Sequence, residues 1–463
     1  MKIFSILFCI VLVISTIIFP QNILGNIENL DNNDTFGRAV ANIGDLNGDG
    51  INDIVVGAPY DGDGGINTGA IYILFLNKDG TVKSHQKISA SEGSFKGKLN
   101  EDDQFGRGIS NIGDFDGDGI TDLAVGAYHD DDGGINTGAI YILFLNKDGT
   151  VKSHQKISAT EGNFVNVIKS GDCFGNAVTS IGDLDGDGIT DLAVGAHDNY
   201  SPGTKAEHVG AVHILFLNKD GTVKSSQKIS DTEGNFGVIK ANDSFGVSVA
   251  NIGDFDGDGV TDLVVGAYGD SDDGFETGAI YILFLNKDGT VKSHQKTSAS
   301  EGSFKGNLNN GDLFGSEVIS IGDLDGDGIT DLAVGAYGDD DVPFFHSLIF
   351  RHANPDKGAI YILFLNKDGT VKSHQKISAS EGSFKGNLNN GDLFGFSVAN
   401  IGDLNGDGIN DVIVGAPYDD DTSLFHSLIQ RYDKTDKGAI YILFLNKDGT
   451  VKSHQKIPDQ RWF

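Results

Sequence analysis

Cysteine, proline and positive charge are all scarce in this chain of 463 residues, and each shortage removes a class of protein. Only two cysteines occur, and Cys9 lies in an apolar leader, so Cys173 is left as a lone thiol. A disulfide framework is excluded. With 7 prolines against 65 glycines, the glycines spread along the whole length, the composition reads as turn-rich β structure and not as a disordered linker. Basic residues number 34 against 66 acidic ones, a formal charge of −32. That sign argues against nucleic acid or an anionic membrane as a partner. One long apolar run exists, Ile3 to Phe19, preceded by Met1-Lys2 and ended by Pro20. It reads as a secretory signal occupying residues 1–25 and leaving no membrane span in the mature chain, since a span usually needs roughly 20 apolar residues. An uncleaved N-terminal anchor is the competing reading.

What the chain has in abundance is repetition. The acidic pattern Asp-x-(Asp/Asn)-x-Asp-Gly-x-x-Asp starts at Asp45, Asp114, Asp183, Asp254, Asp323 and Asp403. Each copy follows a Phe-Gly pair, at Phe36, Phe105, Phe174, Phe245, Phe314 and Phe394, which marks where a unit begins. Within one unit, Phe245 to Ile252 alternates like a strand, the acidic turn follows, and Asp262 to Ala267 forms a second run. Gly278 to Leu285 is long, apolar and β-prone, as a buried strand requires. Asn286 to Gly289 is a hairpin turn, and Thr290 to Lys296 a polar outer strand whose lysines guard a sheet edge. Four antiparallel strands per unit, too few to fold alone and repeated six times over residues 26–463, predict an all-β protein, a β-propeller of six four-stranded blades. A seventh blade would have to come from another chain. Histidines 85, 154, 294, 374 and 454 recur one per unit on the outer strand and are expected to face solvent.

The acidic turns place oxygen donors at alternate positions around glycines that permit tight bending, an arrangement suited to a hard cation, above all calcium. The predicted ligands are Asp45, Asn47, Asp49, the Ile51 carbonyl and Asp53; Asp114, Asp116, Asp118, Ile120 and Asp122; Asp183, Asp185, Asp187, Ile189 and Asp191. The other three turns offer Asp254, Asp256, Asp258, Val260 and Asp262; Asp323, Asp325, Asp327, Ile329 and Asp331; Asp403, Asn405, Asp407, Ile409 and Asp411. Up to six Ca2+ ions are expected, held more weakly in the terminal units, where an amide replaces one carboxylate. An EF-hand is excluded, because its bidentate Glu would fall on Val56, Val125, Val194, Val265, Val334 and Val414, each inside a predicted strand. Plain Asp-Gly turns without metal are the simpler alternative, but converging carboxylates repel, and six recurrences speak against it.

Phe-Gly, the acidic turn and Gly-Ala-Pro, intact at Gly57-Ala58-Pro59 and Gly415-Ala416-Pro417, together resemble the FG-GAP repeat of the integrin α-subunit propeller. The resemblance covers all six units. It implies calcium between the first and second strands of each blade, matching the donors named above, and a cell-surface adhesion or ligand-binding role. This chain departs from that family in having six units where seven blades are usual, with no inserted adhesion domain and no stalk.

Segments between second and third strands leave the blades at the end opposite the acidic turns, and they vary most: 61–67, 130–136, 198–208, 270–276, 339–357 and 419–437. A protein or glycan ligand is expected at that rim. Phe344, Phe345, Leu348 and Ile349, with Leu424, Phe425, Leu428 and Ile429, have the spacing of two short amphipathic helices and are the candidate partner patch. Aspartate runs such as Asp130-Asp131-Asp132 read as a solvated acidic face. No catalytic grouping stands out, so no enzymatic activity is expected. A surface hydrolase of glycans or lipids, because FG-GAP-like repeats also accompany such enzymes, and a structural surface-coat protein are the alternatives.

Overall fold

The computed structural model describes residues 30–31, 33–198, 208–340, 356–419 and 437–457. The candidate partner residues Phe344, Phe345, Leu348, Ile349, Leu424, Phe425, Leu428 and Ile429, and the leader 1–25, lie outside them.

Within the described residues the chain is entirely β, with 24 strands in six sheets of four, each sheet ordered as the chain runs. Blade one comprises β1 (Ala39–Gly44), β2 (Asp53–Ala58), β3 (Ala70–Leu76) and β4 (Val82–Ser89). Blade two comprises β5 (Phe105–Gly113), β6 (Asp122–Ala127), β7 (Ala139–Leu145) and β8 (Val151–Ser158). The second strand pairs antiparallel with the third in unbroken register, Leu123 opposite Leu143 and Val125 opposite Tyr141. The inner pair bulges just before the acidic turn, at Asn111 and Gly113, where the Asn111 side chain accepts the Gly113 amide at 2.8 Å.

Second and third strands are buried along their whole length, which an isolated four-stranded sheet could not achieve. The core lies between blades. Ile71, Ile73 and Ile88 of blade one pack with Leu123, Val125, Tyr141 and Leu143 of blade two, and five equivalent clusters complete the circle. The sixth joins Phe36 and Val40 of blade one to Ile413, Ile440 and Phe444 of blade six, so the ring closes on itself. Burial of this kind, at roughly 25 cal/mol per Å² of apolar surface, makes each blade depend on its neighbours.

The glycines of the two short motifs serve the same joint. In every blade the second-strand glycine backs onto the Phe-Gly carbonyl of the next blade. A Cβ on Gly126 would lie 1.8 Å from the Gly175 oxygen, and one on Gly57 would lie 2.0 Å from that of Gly106. No side chain fits there.

Two expectations are corrected: that all five outer-strand histidines face solvent, which holds for His294, and that the aspartate run between second and third strands is solvated. His154, His374 and His454 are half-buried, because the connector from the preceding blade lays Phe95, Phe304 and Phe384 against them at 5.0–5.1 Å between ring centroids. The run Asp130-Asp131-Asp132 is no solvated face, since Asp130 is fully buried and Lys156 reaches it at 2.7 Å and Asp132 at 2.5 Å. Lys156 and its counterparts Lys87 and Lys296 are themselves buried. Their aliphatic stems cross the blade surface and carry the charge to aspartates that burial would otherwise leave unpaired.

Candidate metal centres in the acidic turns

The turn between β5 and β6 shows how one site is assembled. Its glycines Gly117 and Gly119 adopt φ of +82° and +86°, left-handed values that cost an L side chain about 1–2 kcal/mol. That curl points backbone amides inward. Asp114 accepts the amides of Gly117 and Gly119, each at 2.9 Å, and Asp118 accepts that of Ile120 at 2.9 Å. Asp122 opens β6 and is fixed from two sides, by the Leu145 amide of β7 at 3.0 Å and the Phe115 amide at 3.0 Å. Only 1% of Asp122 is exposed, and burial pushes its carboxyl up to about 6, with those amides opposing the shift.

Carboxylate oxygens of Asp114, Asp116 and Asp122 lie within 4.8 Å of one another. The triads Asp183, Asp185, Asp191; Asp254, Asp256, Asp262; and Asp323, Asp325, Asp331 repeat the arrangement. Calcium binds oxygen at roughly 2.3–2.6 Å, so a single ion can span oxygens this far apart, and the all-oxygen donor set suits a hard cation. The terminal turns hold the same aspartates with Asn47 and Asn405 at the third position; Asp45 accepts three backbone amides, as does Asp403. Position five behaves differently in all six. Asp118 is turned to a lysine of the outer strand, Lys152, which also reaches Asp116 at 2.5 Å.

This lysine recurs in every blade. Lys224 reaches Asp185 at 2.6 Å and Asp187 at 2.5 Å, and Lys292 reaches Asp256 at 2.5 Å and also pairs with Asp258. Lys372 reaches Asp325 at 2.7 Å and also pairs with Asp327. In the terminal blades, where asparagine stands at position three, Lys83 and Lys452 each find one carboxylate, Asp49 and Asp407, at 2.8 Å. Hydrogen bonding from the lysine holds Asp118, Asp187, Asp258 and Asp327 below the usual carboxylate range. Sequence reasoning missed these lysines because strand alternation only marked them as outward-facing. Their signal was the fixed place of this lysine two residues after the Thr that follows each Asn-Lys-Asp-Gly hairpin.

A closed ring of six four-stranded blades, each bearing an acidic oxygen-lined turn between its first two strands, defines a repeat β-propeller. The FG-GAP repeat family matches residues 36–74, 316–363 and 394–443, and also 83–144, while the FG-GAP-like repeat family matches 114–194, 183–265 and 254–334. The chain belongs to the FG-GAP repeat family and is integrin alpha-like. It is 31% identical to mouse integrin alpha-2 over 241 residues, 51% of this chain and 18% of that protein. To integrin alpha-PS2 of Drosophila melanogaster it is 30% identical over 274 residues, 58% of this chain and 18% of that protein. With integrin alpha pat-2 of Caenorhabditis elegans it shares 46% identity over 94 residues, 20% of this chain and 7% of that protein. The matched region is thus a small part of each relative.

Proposed function

We propose that this protein is a secreted or cell-surface ligand-binding and adhesion module without enzymatic activity, a propeller whose acidic turns take up Ca2+. The observation that carries this reading is the recurrence of the aspartate triad, in four blades, on an integrin alpha-like ring. Asp114, Asp116 and Asp122 and their counterparts would hold the ion, joined by Asp118 once Lys152 releases it, and by the Ile120 carbonyl. Calcium would supply the positive charge that the lysine now provides, and so stiffen the turn between first and second strands. In the terminal blades Asp45, Asn47, Asp49 and Asp53, and Asp403, Asn405, Asp407 and Asp411, would do the same with less charge. Extracellular modules bind calcium at roughly 10⁻⁴–10⁻³ M, which fits export directed by residues 1–25. A protein or glycan partner would dock at the end opposite these turns.

Protein and glycan arrays probed with the purified chain, in millimolar calcium and again in chelator, test the reading. Calcium-dependent retention on a defined ligand class is the expected result. Turnover of any glycan or lipid on the array, or retention indifferent to chelator, would contradict it.

A further inference from the structure

Because the blades are near-copies, the positions at which they differ stand out. One such position follows each Phe-Gly: Arg38, Arg107, Asn176, Val247, Ser316 and Phe396. It lies at the axis of the ring, on the end opposite the acidic turns. The Arg38 guanidinium sits 4.1 Å from the ring centroid of Phe396, and that of Arg107 lies 5.3 Å from the same ring. Residues of blades one, two and six therefore meet at one point. Tyr60 and Tyr418 flank Arg38 at 5.9 and 6.0 Å, Tyr128 lies 5.6 Å from Arg107, and Tyr337 stacks on Phe396 at 4.8 Å.

Two guanidiniums are thus gathered in a chain of charge −32, yet no carboxylate of the described residues comes within 4.0 Å of either. Arg38 donates to the Tyr418 hydroxyl at 3.0 Å, and the Nε of both arginines is buried without a hydrogen-bond partner. Glu317, the nearby acid, makes no ion pair; burial pushes its carboxyl up to about 8, with the Arg107 charge opposing the shift. Both arginines, Tyr60, Tyr337 and Tyr418 keep part of their surface open to solvent. Two guanidiniums held together with no described carboxylate in contact are unfavourable in themselves, and the planar guanidinium fork is built for a carboxylate.

We propose that this axial mouth receives a single carboxylate, an Asp or Glu side chain presented by a protein partner. This rests on the adhesion reading above and names the chemistry of its ligand. A single charge is favoured because the field of a strongly acidic chain repels polyanions. A protein is favoured because Ile66, Ile135 and Phe275, exposed at 64%, 71% and 67%, stand at the same end and offer apolar contact.

The test pans a displayed random-peptide library on the full chain in millimolar calcium. Enriched peptides should share one Asp or Glu, and Asp→Asn or Glu→Gln in the peptide should weaken binding at least tenfold. Arg38→Met with Arg107→Met should lose a similar factor, while Arg38→Lys with Arg107→Lys retains part, melting temperatures being checked for each variant. If the methionine variants fail to fold, the peptide substitution decides alone. Enrichment without acidic residues, or indifference to their removal, overturns the proposal. So does binding of N-acetylneuraminic acid at these arginines with no acidic peptide bound, which would assign the mouth to a glycan. Failure of calcium uptake by the parent chain is read separately and sinks the adhesion reading without deciding this one.

Discussion

The amide of Phe36 donates to the carbonyl of Lys437 at 3.1 Å, fastening the first blade to the last. The same bond joins Phe105 to Thr68, Phe174 to Thr137 and Phe394 to Lys357, at 2.9–3.1 Å, so the closing joint is built like the internal ones. A ring of this kind loses more than one blade's worth of stability when any joint is spoiled, because every core is shared.

Gly126→Ala tests the joint. Its Cβ would meet the Gly175 oxygen, backbone that cannot swing aside, so the blades must separate. A loss of about 2–4 kcal/mol is expected. Gly44→Ala, at φ +71° with nothing within 4 Å of the added carbon, should lose only about 1–2 kcal/mol. Chemical denaturation of both in chelator is the comparison, and equal effects would refute the cross-blade argument.

Buried aspartates in the connectors set a pH dependence away from the metal turns. Burial pushes Asp34 and Asp243 up to about 7, Asp103 up to about 6, and Asp312, helped by the nearby Asp339 charge, up to about 8. The unfolded value is about 3.9, so the native state binds more protons throughout the intervening range. Stability of the chelated protein should therefore rise as pH falls from about 8 towards about 5. Asp312→Asn should raise the melting temperature at pH near 8 and flatten the profile; an unchanged profile would contradict the assignment.

Lys152→Met removes the cation that spans Asp116 and Asp118. The pair is exposed and screened by solvent, so calcium, which must displace this lysine, should bind blade two only modestly more tightly, by roughly two- to five-fold. Competition against a chelating dye measures it. Weaker binding would show that the lysine helps hold the metal.

Asn405→Asp gives blade six the third carboxylate of the inner blades. Tighter calcium binding at that site, by roughly tenfold, is expected because ligand charge tunes affinity. Calorimetric titration of parent and variant settles the sign.

How much of this could be read from sequence depends on range. Blade number and strand order were legible, because Phe-Gly, the acidic turn and the apolar Ala-Ile-Tyr-Ile-Leu-Phe-Leu strand recur as local patterns. The aspartates of each turn were legible for the same reason, since they lie within nine consecutive residues. Lys152 was not, because its partner Asp118 lies across two strands and strand alternation only says that a lysine points outward. Lys156 misled outright: its pattern position reads as solvent, yet its stem runs over the blade to the buried Asp130. Arg38, Arg107 and Phe396 escaped because their meeting exists only once the ring is closed.

The most direct measurement is a calcium titration of the chelator-stripped protein by calorimetry, paired with thermal melts in excess EDTA and in millimolar calcium. Heat of binding that saturates at up to six ions, with two sites weaker than the rest, and a melting temperature clearly higher in calcium are the predicted results. No uptake, with identical melting in both solutions, would contradict the claim that the acidic turns are metal centres.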